Sequence, residues 1–287
     1  MADKKILENI KKLREITGVG FSDCKLAISE NNGDIEKSIE YLRKKGIAKA
    51  SKKMSRVAAD GLVLLQEKQG SISAIEINSE TDFVAKNKDF ILFCKEISEI
   101  NFEKKADLKL LNSSKMKNGK TVEENLITLI SKIGEKITIR RGKYLNNDGL
   151  NFSYVHNSLE KNVGKVIAIV KLSKNESKDL KNLGNKLAMH IAAQSPISID
   201  EKGIKKEVLD KELEIIKDEL KNSGKKSEMI EKISKGKLQK FISDNTLLNQ
   251  VWIMDTKMKV HEVLKKHSDN GDIKILDFVR FKVGEGV

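Results

Sequence analysis

Gly61-Leu62-Val63-Leu64-Leu65, a turn at Lys68-Gln69-Gly70, then Ile72-Ser73-Ala74-Ile75-Glu76-Ile77 and Thr81-Asp82-Phe83-Val84 form the stretch that decides the fold. The two apolar runs on either side of a glycine turn predict a β-hairpin. After Thr81 the apolar spacing lengthens to three and four: Phe83, Phe90, Ile91, Phe93, Cys94, Ile97 and Ile100 predict a helix. At the junction, the Thr81 hydroxyl is suited to capping that helix, and Asp82 sits near the positive end of its dipole. Phe83 is out of place on such a turn. Its ring either folds into the core or projects as a wedge.

Outward from this junction, strands and helices come in blocks. Thr121-Val122-Glu123-Glu124 is a capping box opening a helix that ends near Gly134, and Ile137 to Arg141 alternates as a strand. Phe152 to His156 and the very apolar Val163 to Val170 predict two more strands. The helix rich in small residues around Leu187 to Ala193 ends before Pro196. Trp252 is expected in the core, His190 in the core or at an interface rather than as a base, and residues 251–254 and 273–283 are expected to return to the sheet. Such segregation predicts an α+β fold with small antiparallel sheets in two similar halves, not a doubly wound sheet.

Ahead of the hairpin, residues 1–46 predict a module of three short helices. Ile6, Leu7, Ile10, Leu13 and Ile16 mark one face of the first helix. Ser22 is a suitable cap for the second, Asp34 for the third, and Gly46 a suitable end. The loop Gly18-Val19-Gly20-Phe21 between the first two helices is a natural contact surface, with Val19 and Phe21 also able to plug the small core. Residues 47–56 form a basic linker. The expected core has a first half at 57–146 and a second half at 147–199 and 244–287. Between those two pieces, residues 200–243 predict an inserted antiparallel helical hairpin. Its seam is Ile204, Val208, Ile215 and Leu220 against Met229, Ile230, Ile233, Leu238 and Phe241, with a tip at residues 223–226.

The chain of 287 residues carries a formal charge of +13. Only six arginines (14, 43, 56, 140, 141 and 280) contribute, and aromatics make up 5% of the residues. Lysine is a poorer reader of phosphate and base edges than arginine, and few rings are available for stacking. The charge therefore points to solvated lysine-rich faces. Residues 44–56, with six basic residues and no acidic one, are the best nucleic-acid candidate, and a basic nucleic-acid-binding protein is the alternative reading. Cys24 and Cys94 lack ligand spacing and read as small buried hydrophobes in a reducing compartment. A soluble, cytoplasmic protein is expected, with no membrane partner.

Reactive motifs are missing. The sequence contains no phosphate loop, no dinucleotide fingerprint and no nucleophile elbow, and His156, His190, His261 and His267 show no metal-ligand spacing. The expectation is a protein that acts by binding, without cofactor or metal, and not an enzyme.

Eight segments, in order, then carry a resemblance. They are Leu13 to Gly20, Asp23 to Lys25, Asn32 to Ile35, Val57 to Gly61, Thr81 to Lys86, Ile133 to Glu135, Ala188 to Ala193 and Phe278 to Gly286. Together they resemble translation elongation factor Ts over essentially the whole chain. The resemblance implies a guanine-nucleotide exchange factor for the GTPase elongation factor Tu, with a ubiquitin-associated-like N-terminal module, a two-part core and an inserted hairpin. It implies that Thr81, Asp82, Phe83 and Val84 disturb the partner's Mg²⁺ and phosphate-loop contacts. It places Leu13, Val19, Gly20 and Phe21, and His156 at the far half of the core, among partner-binding residues. A monomer and a homodimer are both open, and no specific nucleic acid is expected. Longer members of the family carry a further C-terminal helical module that the resemblance does not cover.

Overall fold

The computed structural model describes residues 2–17, 19–174, 179–224, 227–268 and 271–287. Gly18 of the contact loop, and Lys225 and Lys226 of the hairpin tip, lie outside the described residues.

Three helices open the chain: α1 (Ala2–Thr17), α2 (Phe21–Glu30) and α3 (Ile35–Lys53). Ile10, Leu13, Cys24, Ala27, Ile28 and Leu42 close their small core. Ile6, Leu7 and Ile16 remain exposed, because α2 and α3 cover only part of the apolar stripe of α1. Asp34 caps α3, accepting from the Lys37 N–H at 3.0 Å. The expected cap at Ser22 is not used, since α2 already starts at Phe21 with Gly20 in the N-cap position.

A hairpin follows, β1 (Asp60–Lys68) and β2 (Ser71–Ser79), then α4 (Asp82–Ala85), α5 (Lys88–Glu103), α6 (Leu108–Ser113) and α7 (Val122–Ile133). Next come β3 (Ile137–Leu145), β4 (Leu150–His156), β5 (Val163–Gly164), β6 (Val166–Leu172) and α8 (Leu180–Gln194). The chain ends through α9 (Lys206–Asn222), α10 (Ser227–Asn245), α11 (Val260–Lys266) and β7 (Ile275–Lys282). Two antiparallel sheets result, ordered β3-β2-β1-β5 and β4-β6-β7. The fold is α+β, with helices at the N-terminus and two small sheets.

The sheets stack face to face. Val63, Leu65, Ile72 and Ala74 of the first meet Ile167, Ile169, Val279 and Phe281 of the second. The outer face of the first sheet, through Leu62, Leu64, Ile75 and Ile77, packs on Phe90, Cys94 and Ile97 of α5. The outer face of the second packs on Leu187 and Ile191 of α8 and Val263 and Leu264 of α11. Strands covered on both sides favour apolar residues on both faces, which is why residues 62–65 of β1 and 166–170 of β6 read as continuous apolar runs.

The Val163 to Val170 run is not one strand. Val163 and Gly164 pair with Leu64 and Val63 of the first sheet, and from Val166 the chain belongs to the second. Lys165 sits at the crossing, with its ammonium on the Asp60 carboxylate and on the Gly61 carbonyl. Residues 251–254 form no strand either. Val251 makes a single bridge to Lys259, and Trp252 is buried, its ring stacked on His190 with centroids 5.1 Å apart.

Gly46 does not end its helix. It lies buried within α3, where a Cβ would stand 3.0 Å from Ser131 Oγ of α7. The missing side chain lets the two helices approach, so α3 continues to Lys53 and carries most of the expected linker. In the hairpin of α9 and α10, Ile216, Leu220, Ser234 and Ile242 are buried, whereas Val208, Ile215 and Met229 are exposed. The inward face of α9 is thus one residue on from Ile215. At its base, the Ile197 N–H donates to the Asn245 carbonyl at 2.9 Å, closing the hairpin where the chain enters and leaves.

Candidate functional site

The junction after β2 is built from both sides. Ser79 Oγ donates to the Thr81 carbonyl at 3.0 Å. Thr81 occupies the N-cap position of α4, but its hydroxyl does not cap. It donates instead to Glu135 Oε1 at 2.7 Å, while the Thr81 N–H donates to Glu135 Oε2 at 3.0 Å. A charged acceptor holding both donors is a stronger partner than one helix N–H. The expected single helix is also broken: α4 ends after Ala85, and Asn87 caps α5, accepting from the Asp89 and Phe90 N–H groups at 2.9 and 3.3 Å.

This short turn separates two neighbouring apolar residues. Val84 and Ala85 are buried in the core under the first sheet. Phe83 is 81% exposed. An aromatic ring left in water gains nothing from the fold that carries it, so it is available to another surface. Beside it, Asp82 makes a 2.7 Å ion pair with Lys86. The hydrogen bond from Lys86 holds the Asp82 carboxyl below the usual carboxylate range, with a smaller pull from the charge on Lys165. Asp82 is therefore an anion at neutral pH.

The turn between α7 and β3 clamps the whole assembly. Glu80 accepts from the Lys136 N–H at 2.6 Å and from Arg56 Nη1 at 3.3 Å. Lys136 Nζ in turn donates to the Met54 and Arg56 carbonyls at 2.7 and 2.8 Å, and Lys53 Nζ donates to the Gly134 carbonyl. The end of α3, the β2–α4 turn and the α7–β3 turn are thus joined by polar contacts. Glu80, Glu135 and Lys136 were not singled out from sequence as site residues. Sequence marks Glu135 only as the end of the Ile133 to Glu135 segment of the resemblance, with no role attached.

The other predicted residues lie elsewhere. Leu13 is fully buried in the N-terminal module, and Val19 packs half-buried against the same core. Gly20 and Phe21 are exposed. His156 ends β4, exposed, with Nδ1 3.0 Å from the Tyr154 hydroxyl. Its carbonyl accepts from the Lys165 N–H at 3.3 Å, which links this strand end to the residue whose charge acts on Asp82. In the basic segment 44–56, Lys44 pairs with Glu40, Lys45 with Asp23 and Arg56 with Glu80, so part of its charge is neutralised within the chain.

His190 is no general base in waiting. It is buried, with Nε2 3.1 Å from Gln250 Oε1 and Nδ1 accepting from the Ile253 N–H at 3.4 Å. Burial pushes its pKa down against the raising effect of Gln250. No described helix is long and apolar enough to cross a membrane.

The sequence model of the family described as Elongation factor TS matches residues 80–285, from the β2–α4 turn to the C-terminal glycine-rich segment. The chain belongs to the elongation factor Ts family. It is 39% identical over 285 residues to elongation factor Ts of Maricaulis maris, covering 97% of this chain and 91% of that protein. With elongation factor Ts of Nitrobacter hamburgensis it shares 40% identity over 282 residues, covering 97% and 92%. With that of Rickettsia bellii it shares 38% over 284 residues, covering 97% and 92%. These are translation elongation factors of protein biosynthesis, a family associated with nucleotide exchange.

Proposed function

We propose that this chain is a guanine-nucleotide exchange factor that binds elongation factor Tu and promotes GDP release during translation elongation in the cytoplasm. The observation that carries the reading is the exposed Phe83 ring on a turn pinned by Val84 and Ala85 below and Glu135 behind.

Linkage supplies the mechanism. In a P-loop GTPase, GDP and Mg²⁺ are held together through phosphate oxygens and the backbone N–H groups of the loop. A partner that prefers the nucleotide-free form must weaken nucleotide binding by the same free energy. Such a factor makes and breaks no bond. It needs a wedge and an anchoring surface. Burial of the Phe83 ring in the partner contributes about 1.5–3 kcal/mol, and each 1.4 kcal/mol of differential affinity is about tenfold in release. Asp82 brings a negative charge toward the groups around Mg²⁺.

Anchoring falls to the N-terminal module and the far half of the core. Gly20 and Phe21 meet the GTPase directly, Leu13 and Val19 support their loop from beneath, and His156 touches another domain of the partner. The division into residues 1–46, 47–56, 57–146, 147–199 with 244–287, and 200–243 belongs to the same reading: module, connector, two core halves and inserted hairpin. Mixing the chain with elongation factor Tu loaded with fluorescent GDP tests it. Accelerated loss of signal is expected, and an unchanged rate over a wide range of factor concentration rejects the proposal.

A further inference from the structure

We infer that Glu135 is a positioning residue for exchange, aiming the Phe83 ring through Thr81. The inference rests on the wedge reading above and adds to it the device that sets the wedge's direction.

The ring is 81% exposed, so no packing of its own fixes where it points. Its direction must come from the backbone of the turn. Depth is set by Val84 and Ala85, which are buried in the core. Rotation is set one residue before the turn begins. Glu135 accepts the Thr81 N–H through Oε2 at 3.0 Å and the Thr81 hydroxyl through Oε1 at 2.7 Å. Two bonds from one planar carboxylate fix both the peptide plane entering Thr81 and the χ1 rotamer of its side chain. Bonds to an ionised acceptor are about twice as strong as neutral ones. Phe83 follows two residues later on the single turn of α4, so a rotation at Thr81 swings the ring.

The carboxylate is itself held in place. Gly134 ends α7 in the left-handed region, and its carbonyl accepts from Lys53. Lys136 donates its N–H to Glu80, the residue before Thr81. The chain segments 80–81 and 134–136 therefore grip each other through two acids, Glu80 and Glu135, one from each side. A side chain aimed this way keeps its geometry through the encounter, and, by analogy with the positioning of reacting groups, a small misplacement costs up to about a hundredfold in rate.

The test is stopped-flow release of fluorescent GDP from elongation factor Tu across factor concentrations, with Glu135→Ala, Glu135→Gln, Phe83→Ala and the double variant Phe83→Ala/Glu135→Ala. Glu135→Ala is expected to lower the maximal release rate about tenfold or more, with the half-saturating concentration within about twofold of wild type. Glu135→Gln, which keeps an acceptor for the N–H and can donate to the hydroxyl, is expected to recover most of the rate. In the Phe83→Ala background, Glu135→Ala is expected to add nothing. Wild-type rates in Glu135→Ala beside an impaired Phe83→Ala overturn the positioning role and leave the wedge standing. Additive losses, or a Gln variant as impaired as Ala, overturn it too. Wild-type rates in Phe83→Ala remove the wedge itself. If Glu135→Ala does not fold, Thr81→Val, lacking only the hydroxyl bond, is expected to show a smaller loss that likewise vanishes without Phe83, and a wild-type rate there overturns the inference.

Discussion

Glu76, in the middle of β2, accepts a 2.9 Å hydrogen bond from the Gly284 N–H, 208 residues later in the chain. The same fully buried carboxylate accepts from Arg140 Nη1 at 2.9 Å, Arg141 Nε at 2.6 Å and Asn78 Nδ2 at 3.1 Å. One acid thus fastens the first sheet to the segment leaving the second. Removing one partner of a buried, fully bonded charge costs about 3–5 kcal/mol, so Glu76→Ala is expected to lose that much stability in denaturant unfolding. Burial alone would push the Glu76 carboxyl up, but the Gly284, Asn78 and Arg141 donors outweigh it and hold it below its ordinary value. Its contribution is therefore complete above the ordinary carboxylate range and is lost as pH falls through the lowered folded value. Wild type should lose more stability than Glu76→Gln over that acid interval.

Gly284 has its own constraint. It adopts φ +74°, and a Cβ there would stand 2.0 Å from the Ala59 carbonyl oxygen. Gly284→Ala must shift the backbone that donates to Glu76. A loss of about 1–3 kcal/mol is expected, read as a lowered Tm with the wedge residues untouched.

His190 should titrate low. Its folded pKa lies below the ordinary 6.5 because burial disfavours the cation. The unfolded chain therefore takes up the proton first, and stability falls as pH drops below the ordinary histidine value. An NMR titration of the His190 ring should show a midpoint below 6.5, and a midpoint above it contradicts the buried neutral ring.

Asp82→Asn removes the charge beside the exposed Phe83 ring and its exposed pair with Lys86. Exposed pairs add little to folding, so Tm is expected to stay near wild type while stimulated GDP release slows. A Tm loss with full exchange activity would assign Asp82 to the fold instead.

The hairpin of β1 and β2, the capping box of α7 and the cap at Asp34 were legible because each depends on neighbours in sequence, whereas the direction of Phe83 was not, since its ring could pack or project until Val84 and Ala85 were placed in the core. What escaped depends on distant partners. Gly46 looks like a helix end until α7 is laid against it, and Thr81 looks like a cap until Glu135, 54 residues on, takes its hydroxyl. The split at Lys165 is hidden because both halves of an apolar run are buried, one in each sheet. In the hairpin, Ile215 and Ile216 are equally apolar neighbours, and only the opposing arm decides which faces inward. Nothing around Ile75-Glu76-Ile77 announces that the acid is buried under two arginines.

Release of fluorescent GDP from elongation factor Tu by Phe83→Ala, in stopped flow beside a circular dichroism melt, probes the wedge most directly. The ring is exposed, so its removal should leave the melt unchanged while slowing maximal release about 10- to 100-fold, the burial of one aromatic at about 1.5–3 kcal/mol. Release as fast as wild type from a folded variant would contradict the role of Phe83.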